Sequence, residues 1–166
     1  MIAAQARARE LAAEAIRLLI GRGETIAVAE SLTGGLVAAA LTSIPGASAA
    51  FRGGVVAYAT DLKAAVLGVP DDLLEHCGAV DQAVAEAMAE GARTRMWTTV
   101  GVATTGVAGP DPAEGKAVGT VYVAVAGPTK TESRSLALAG PRDVIRMATV
   151  ESVLSLLIET IREEDD

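Results

Sequence analysis

Short apolar runs alternate with segments of helical period along this chain, and that alternation restricts its fold more than any other feature. Residues 2–20 place Leu11, Ala15, Leu18 and Leu19 on one stripe, with Gly21 and Gly23 stopping the helix. Residues 25–29 read as a short buried strand, and 34–43 as a helix ended by Pro45-Gly46. A second strand is expected over 54–59, with Thr60 capping a short helix through Leu67. A further turn of helix follows Pro70, with Asp71 as its cap. Asp81 is placed to cap a longer helix with Val84, Ala87, Met88 and Ala92 on its inner face. Strands over 99–105, 118–126 and 131–138, the last two joined by a turn at 127–130, precede a final helix from Pro141 to about Ile161. Helix and strand alternate and then a hairpin appears, so the expected fold is a three-layer α/β/α domain with a mixed sheet of about five strands.

A chain of 166 residues is long enough for one self-sufficient core. We read 1–162 as a single domain and 163–166 as an acidic tail, the one place where disorder is expected. Hydrophobic residues make up 51% of the chain, but only four residues are aromatic, so close packing through Ala and Val is expected. A net charge of −7 argues against a nucleic-acid partner, although a few cations or a helix N-terminus can still hold one phosphate. One cysteine, Cys77, excludes a disulfide framework, and one histidine, His76, leaves the common zinc sites out of reach, so neither metal nor cofactor is expected. The uncharged run 31–51 is long enough to span a bilayer, but its Pro, Gly, Ser and Thr residues argue against that. Without a signal peptide, the expected location is the cytoplasm.

Three segments have the residue types for chemistry. Glu30-Ser31-Leu32-Thr33-Gly34-Gly35 sits at a strand-to-helix corner, where Ser31 can attack a carbonyl while N–H groups near Gly34 and Gly35 hold the oxyanion. The same pattern also suits simple capping of the helix by Ser31 or Thr33. A serine nucleophile needs a base. His76 lies in an ordinary helix, and the Gly-x-Ser-x-Gly elbow is absent. A lysine of lowered pKa can serve instead, and the chain has three: Lys63, Lys116 and Lys130. Lys63 lies at a second such corner, in Tyr58-Ala59-Thr60-Asp61-Leu62-Lys63, where Tyr58 could relay or orient the proton; a solvated surface lysine is the alternative. The third segment, Gly101 to Asp111, has P-loop glycine spacing but Val107-Ala108 in place of Lys-Ser/Thr, which argues against an ATPase. Its Thr105-Gly106-Val107-Ala108-Gly109-Pro110 suits either a pocket wall or a plain tight turn. The loop beyond it, running to Lys116 and Gly119, is a candidate flap.

Taken together, these segments resemble the CinA C-terminal domain family, the nicotinamide-nucleotide amidases. The likeness rests on Glu30-Ser31-x-Thr33-Gly34-Gly35, Ile44-Pro45-Gly46-Ala47-Ser48, Gly53-Gly54-Val55-Val56-x-Tyr58 with Lys63, and Leu67-Gly68-Val69. Gly78-Ala79-Val80, Thr105-Gly106-Val107-Ala108-Gly109-Pro110 and Lys116-x-Val118-Gly119-Thr120-Val121 come next in the family's order and spacing, over about residues 10–158. The resemblance implies hydrolysis of nicotinamide mononucleotide to nicotinate mononucleotide and ammonia. Ser31 would be the nucleophile, Lys63 its base and Tyr58 the residue that positions them. It further implies a pocket shaped by Thr33, Gly34, Gly35, Ser48, Thr105, Gly106 and Gly109, with the phosphate near Lys116, Arg142 or Arg52.

The chain departs from the family pattern at Leu32, Asp81 and Ala59-Thr60, and at Ala117, where proline is common. Its 109–115 stretch lacks the usual Gly-Gly pair, which bears on substrate preference more than on catalysis. Larger members of the family carry an N-terminal nucleotide-pyrophosphatase domain that these residues do not contain. Two further readings stand beside the first: a nucleotide- or partner-binding module with little turnover, and an amidase for another small carboxamide. The family's tendency to dimerise makes a homodimer the expected assembly; the apolar stripe of the first helix would serve either a partner or the core.

Overall fold

The computed structural model describes residues 1–165. Helix α1 (Ile2–Arg22) leads into β1 (Ile26–Glu30), α2 (Leu36–Thr42) and a 3-10 turn at Ala47–Ala49. Strand β2 (Phe51–Val56) is followed by α3 (Thr60–Leu67), α4 (Asp71–Cys77) and α5 (Gln82–Arg95). The chain closes with β3 (Val100–Gly106), β4 (Thr120–Ala126), β5 (Thr131–Ala137) and α6 (Arg142–Glu163). The five strands form one sheet in the order β2-β1-β3-β4-β5. Strand β1 runs parallel to both β2 and β3, while β4 and β5 are antiparallel to their neighbours. This is the expected mixed sheet with helices on both faces.

Period-two alternation divides the strands between two cores. Ile26, Val28, Val100, Val102, Val121, Val123 and Val125 face α1, α2 and α6. Ala27, Ala29, Ala103, Ala124 and Ala126 face α5. The alanine side lets α5 lie close to the sheet. A Cβ at Gly101 would come 2.1 Å from the Ala89 carbonyl oxygen, and one at Gly91 2.0 Å from that of Leu67. Leu11, Ala15 and Leu19 of α1 are buried and belong to the first core, so the stripe that could have met a partner packs inside the chain.

The structure shifts several boundaries. Gly21 lies inside α1, which ends at Gly23 (φ 66°). Strand β2 starts at Phe51, three residues before the expected Gly54, because its register pairs Phe51 with Ile26. Thr60 and Asp71 are first residues of their helices rather than caps, whereas Asp81 caps α5 by accepting from the Ala83 N–H at 2.8 Å. The acidic tail is docked where it is described. Glu163 is part of α6 and pairs with Lys130 at 2.7 Å, and Arg22 pairs with Glu164 and Asp165. Asp166 lies outside the described residues. Among the described residues, no helix is long and apolar enough to cross a membrane.

Candidate active site

Because β1, β2 and β3 are parallel, their C-terminal ends share one edge of the sheet, the usual location of sites in open α/β folds. Ser31 follows β1, Ala57 and Tyr58 follow β2, and Thr105 and Gly106 end β3. Ser31, Tyr58, Thr105 and Gly106, with Lys63, Ala79, Val80, Glu114 and Arg142, line a cleft of about 170 Å³.

Lys63, on the first turn of α3, is only 1% exposed. Its Nζ lies 3.2 Å from Ser31 Oγ and donates to the Ala57 carbonyl at 2.7 Å, with the Tyr58 carbonyl at 3.4 Å. Burial lowers the amine's pKa below its usual 10.5, against a smaller opposing pull from the Glu114 carboxylate. The site therefore brings a hydroxyl within hydrogen-bond reach of an amine that burial makes easier to deprotonate, a pair suited to nucleophilic catalysis.

The turn carrying Ser31 is held from several sides. Its N–H donates to the Thr104 carbonyl at 3.1 Å, and the Thr33 and Thr104 hydroxyls meet at 2.8 Å. The buried Glu30 carboxylate accepts from the Val37 and Ala38 N–H groups at 2.9 and 3.1 Å, so it caps α2 from the strand side. Arg146 of α6 donates to the Leu32 and Thr33 carbonyls at 2.8 and 3.2 Å.

Of the binding residues anticipated from sequence, Thr105, Gly106 and Arg142 line the cleft. Thr105 Oγ1 donates to the Ala79 carbonyl at 2.7 Å. Arg142 Nη2 donates to the Tyr58 hydroxyl at 2.8 Å and Nη1 to the Gly109 carbonyl at 2.6 Å, which puts a guanidinium at the cleft mouth. The Tyr58 hydroxyl thus meets Arg142, and it is the Tyr58 carbonyl that meets Lys63. The other anticipated binding residues are elsewhere. Thr33 is fully buried, the Gly34 N–H donates to the Ser31 carbonyl within the turn, and Gly35 is the N-cap of α2. Gly109 does not line the cleft: a Cβ there would meet Val118, and its carbonyl accepts from Arg142. Ser48 stands before β2, at the opposite end of the parallel strands, beside Pro45 and Phe51. Arg52, also at that end, donates to the Met96 carbonyl at 2.9 Å. Lys116 donates to the Val80 and Cys77 carbonyls instead of facing the cleft.

The expected flap is therefore fastened. Besides Lys116, it is held by Glu114, whose carboxylate accepts from the Ala79 N–H through both oxygens and from the Val80 N–H, each at 3.1 Å. Gly78 leaves room for that carboxylate: a Cβ there would sit 2.6 Å from Glu114 Oε2. Sequence reasoning missed Glu114. Its partners lie 34 and 35 residues earlier and present only backbone N–H groups, which leave no mark on side-chain identity. His76 is exposed on α4 and is absent from the cleft lining.

Comparison with known proteins agrees with the fold and shows the family. The CinA C-terminal domain family model matches residues 8–161. A CinA-like protein of Frankia casuarinae is 56% identical over 140 residues, covering 84% of this chain and 32% of the relative. Another, from Anaeromyxobacter sp. (strain K), is 48% identical over 154 residues, covering 92% and 38% respectively. The chain thus spans about a third of the length of these curated relatives. Among solved structures, a competence-damaged protein (CinA) superfamily protein from Klebsiella pneumoniae 700603 superimposes with a TM-score of 0.91 at 30% identity, over 94% of this chain and 98% of that one. The competence/damage inducible protein CihA from Agrobacterium tumefaciens gives 0.89 at 38% identity, over 92% and 94%.

Proposed function

We propose that this chain, which belongs to the CinA C-terminal domain family, is an amidohydrolase that releases ammonia from the carboxamide of nicotinamide mononucleotide. The observation that carries the reading is the 3.2 Å approach of the buried Lys63 amine to Ser31 Oγ inside a cleft. Neutral Lys63 takes the Ser31 proton as Oγ attacks the carboxamide carbon, and then gives it to the departing nitrogen, which leaves as ammonia. The remaining Ser31 ester is hydrolysed by a water that Lys63 deprotonates in turn, giving the acid and restoring the serine. The Ala57 and Tyr58 carbonyls hold the amine in place throughout. Arg142, at the mouth with Tyr58, is the group placed to take the nucleotide phosphate.

The test is ammonia release from nicotinamide mononucleotide, nicotinamide and glutamine under the same conditions. Fastest release from the mononucleotide supports the reading, and faster release from another amide reassigns the substrate. Tight binding of the mononucleotide without ammonia from any of the three would make the chain a binding module.

A further inference from the structure

The cleft holds a charge that the serine–lysine chemistry does not use. Glu114 is fixed there by the Ala79 and Val80 N–H groups, which hold its carboxylate in place without cancelling its charge. The side chain cannot leave without giving up three hydrogen bonds, and the space left by Gly78 is shaped to it. The other charged side chains of the cleft do not balance it. Lys63 must be neutral to act as the base, and the Arg142 guanidinium is turned toward the Tyr58 hydroxyl and the Gly109 carbonyl. When Lys63 is ready to react, the charges left in the cleft lining are the Glu114 carboxylate and, at the mouth, the Arg142 guanidinium, with Lys116 fastened outside the lining to the Cys77 and Val80 carbonyls.

We propose that Glu114 is a specificity residue: held on the Ala79–Val80 backbone in the Ser31–Lys63 cleft, its carboxylate selects carboxamides borne on a cationic, N-substituted pyridinium ring over neutral ones. This rests on the amidase reading above. A ring whose carboxamide reaches Ser31 must share a cleft of about 170 Å³ with the carboxylate, so its charge is felt at short range. The acid product adds a second carboxylate to the same space, and Glu114 repels it. Arg142 at the mouth leaves the cleft with anion inside and cation outside, the order of charges opposite to that of a pyridinium nucleotide.

The test separates ring charge from the rest of the ligand by comparing nicotinamide mononucleotide with its 1,4-dihydropyridine form, which keeps the ribose and phosphate but has an uncharged ring. Binding of each is measured calorimetrically to Ser31→Ala, which cannot turn the substrate over, and to Ser31→Ala/Glu114→Gln. In the Ser31→Ala protein the cationic form should bind on the order of tenfold more tightly, with the gap closing as salt is added because Glu114 is exposed to solvent. With Glu114→Gln the gap should fall to about twofold or less, while the dihydro form keeps its affinity. Unchanged affinity for the dihydro form shows that the loop is intact. An undiminished gap in the double variant, equal binding of both forms to Ser31→Ala, or binding of neither would overturn the proposal. Failure of the amidase reading shows separately, as absence of ammonia from the wild-type protein.

Discussion

Lys63 Nζ stands 3.2 Å from Ser31 Oγ although 32 residues separate them, because two parallel strands deliver their succeeding turns to the same sheet edge. The amine is desolvated there, and among the described residues its hydrogen-bond partners are backbone carbonyls and the serine. On the proposed mechanism, both the reactivity of Ser31 and its dependence on pH come from that contact.

Lys63→Met removes the proposed base and keeps the bulk of the side chain. Ammonia release should fall by about 10²–10⁴-fold. Lys63→Arg should not restore it, since a guanidinium stays protonated at any working pH. Steady-state rates on the two variants check both statements.

The pH dependence has a definite sign. The folded-state pKa of Lys63 lies below 10.5, so activity should rise with pH as the amine loses its proton and level off above that folded value. Stability moves the same way. At low pH the amine is charged in both states and the full burial penalty applies. Between the folded value and 10.5 the unfolded chain binds more protons, and stability rises. Urea unfolding of wild type and Lys63→Met should show their stability difference moving in favour of wild type as pH increases; a pH-independent difference would refute this. Glu114 pulls the Lys63 pKa upward, so Glu114→Gln should move the activity midpoint to lower pH.

Tyr58 and Arg142 should separate kinetically. Tyr58→Phe keeps the carbonyl that meets Lys63, so kcat should fall less than about tenfold. Arg142→Ala should raise KM for the mononucleotide by about tenfold, with kcat nearly unchanged and no effect on nicotinamide, which has no phosphate.

Gly101→Ala tests the close approach of α5 to the sheet. Its methyl would meet the Ala89 carbonyl oxygen at 2.1 Å and the Arg93 nitrogen at 2.8 Å, both backbone atoms that cannot rotate away. A loss of about 1–3 kcal/mol or more is expected, read as a lower Tm.

Much of this fold was legible because the strands differ so clearly from the helices. Strands β1 and β3 are buried along nearly their whole length, as central parallel strands are, and both were expected as strands, the first of them as a buried one. Register was not legible: nothing in Phe51-Arg52-Gly53-Gly54 announces that Phe51 pairs with Ile26, so β2 was expected three residues late. The corners bearing Ser31 and Lys63 were implied by the alternation of elements, but their shared cleft needed the parallel pairing of β1 and β2. Ser48 shows the opposite case. It belongs to a recognisable segment, yet the fold carries it to the far end of the strands. Lys116 looked like a free cation, and only the three-dimensional placement of the Cys77 and Val80 carbonyls reveals that it is a fastener.

The central claim is that the Ser31 hydroxyl is the nucleophile. The most direct measurement is ammonia release from nicotinamide mononucleotide by wild type and Ser31→Ala at equal concentration. We predict steady release from the first and a drop on the order of 10³-fold or more in the second, with its fold unchanged by circular dichroism. Release by Ser31→Ala at the wild-type rate would contradict that role for Ser31.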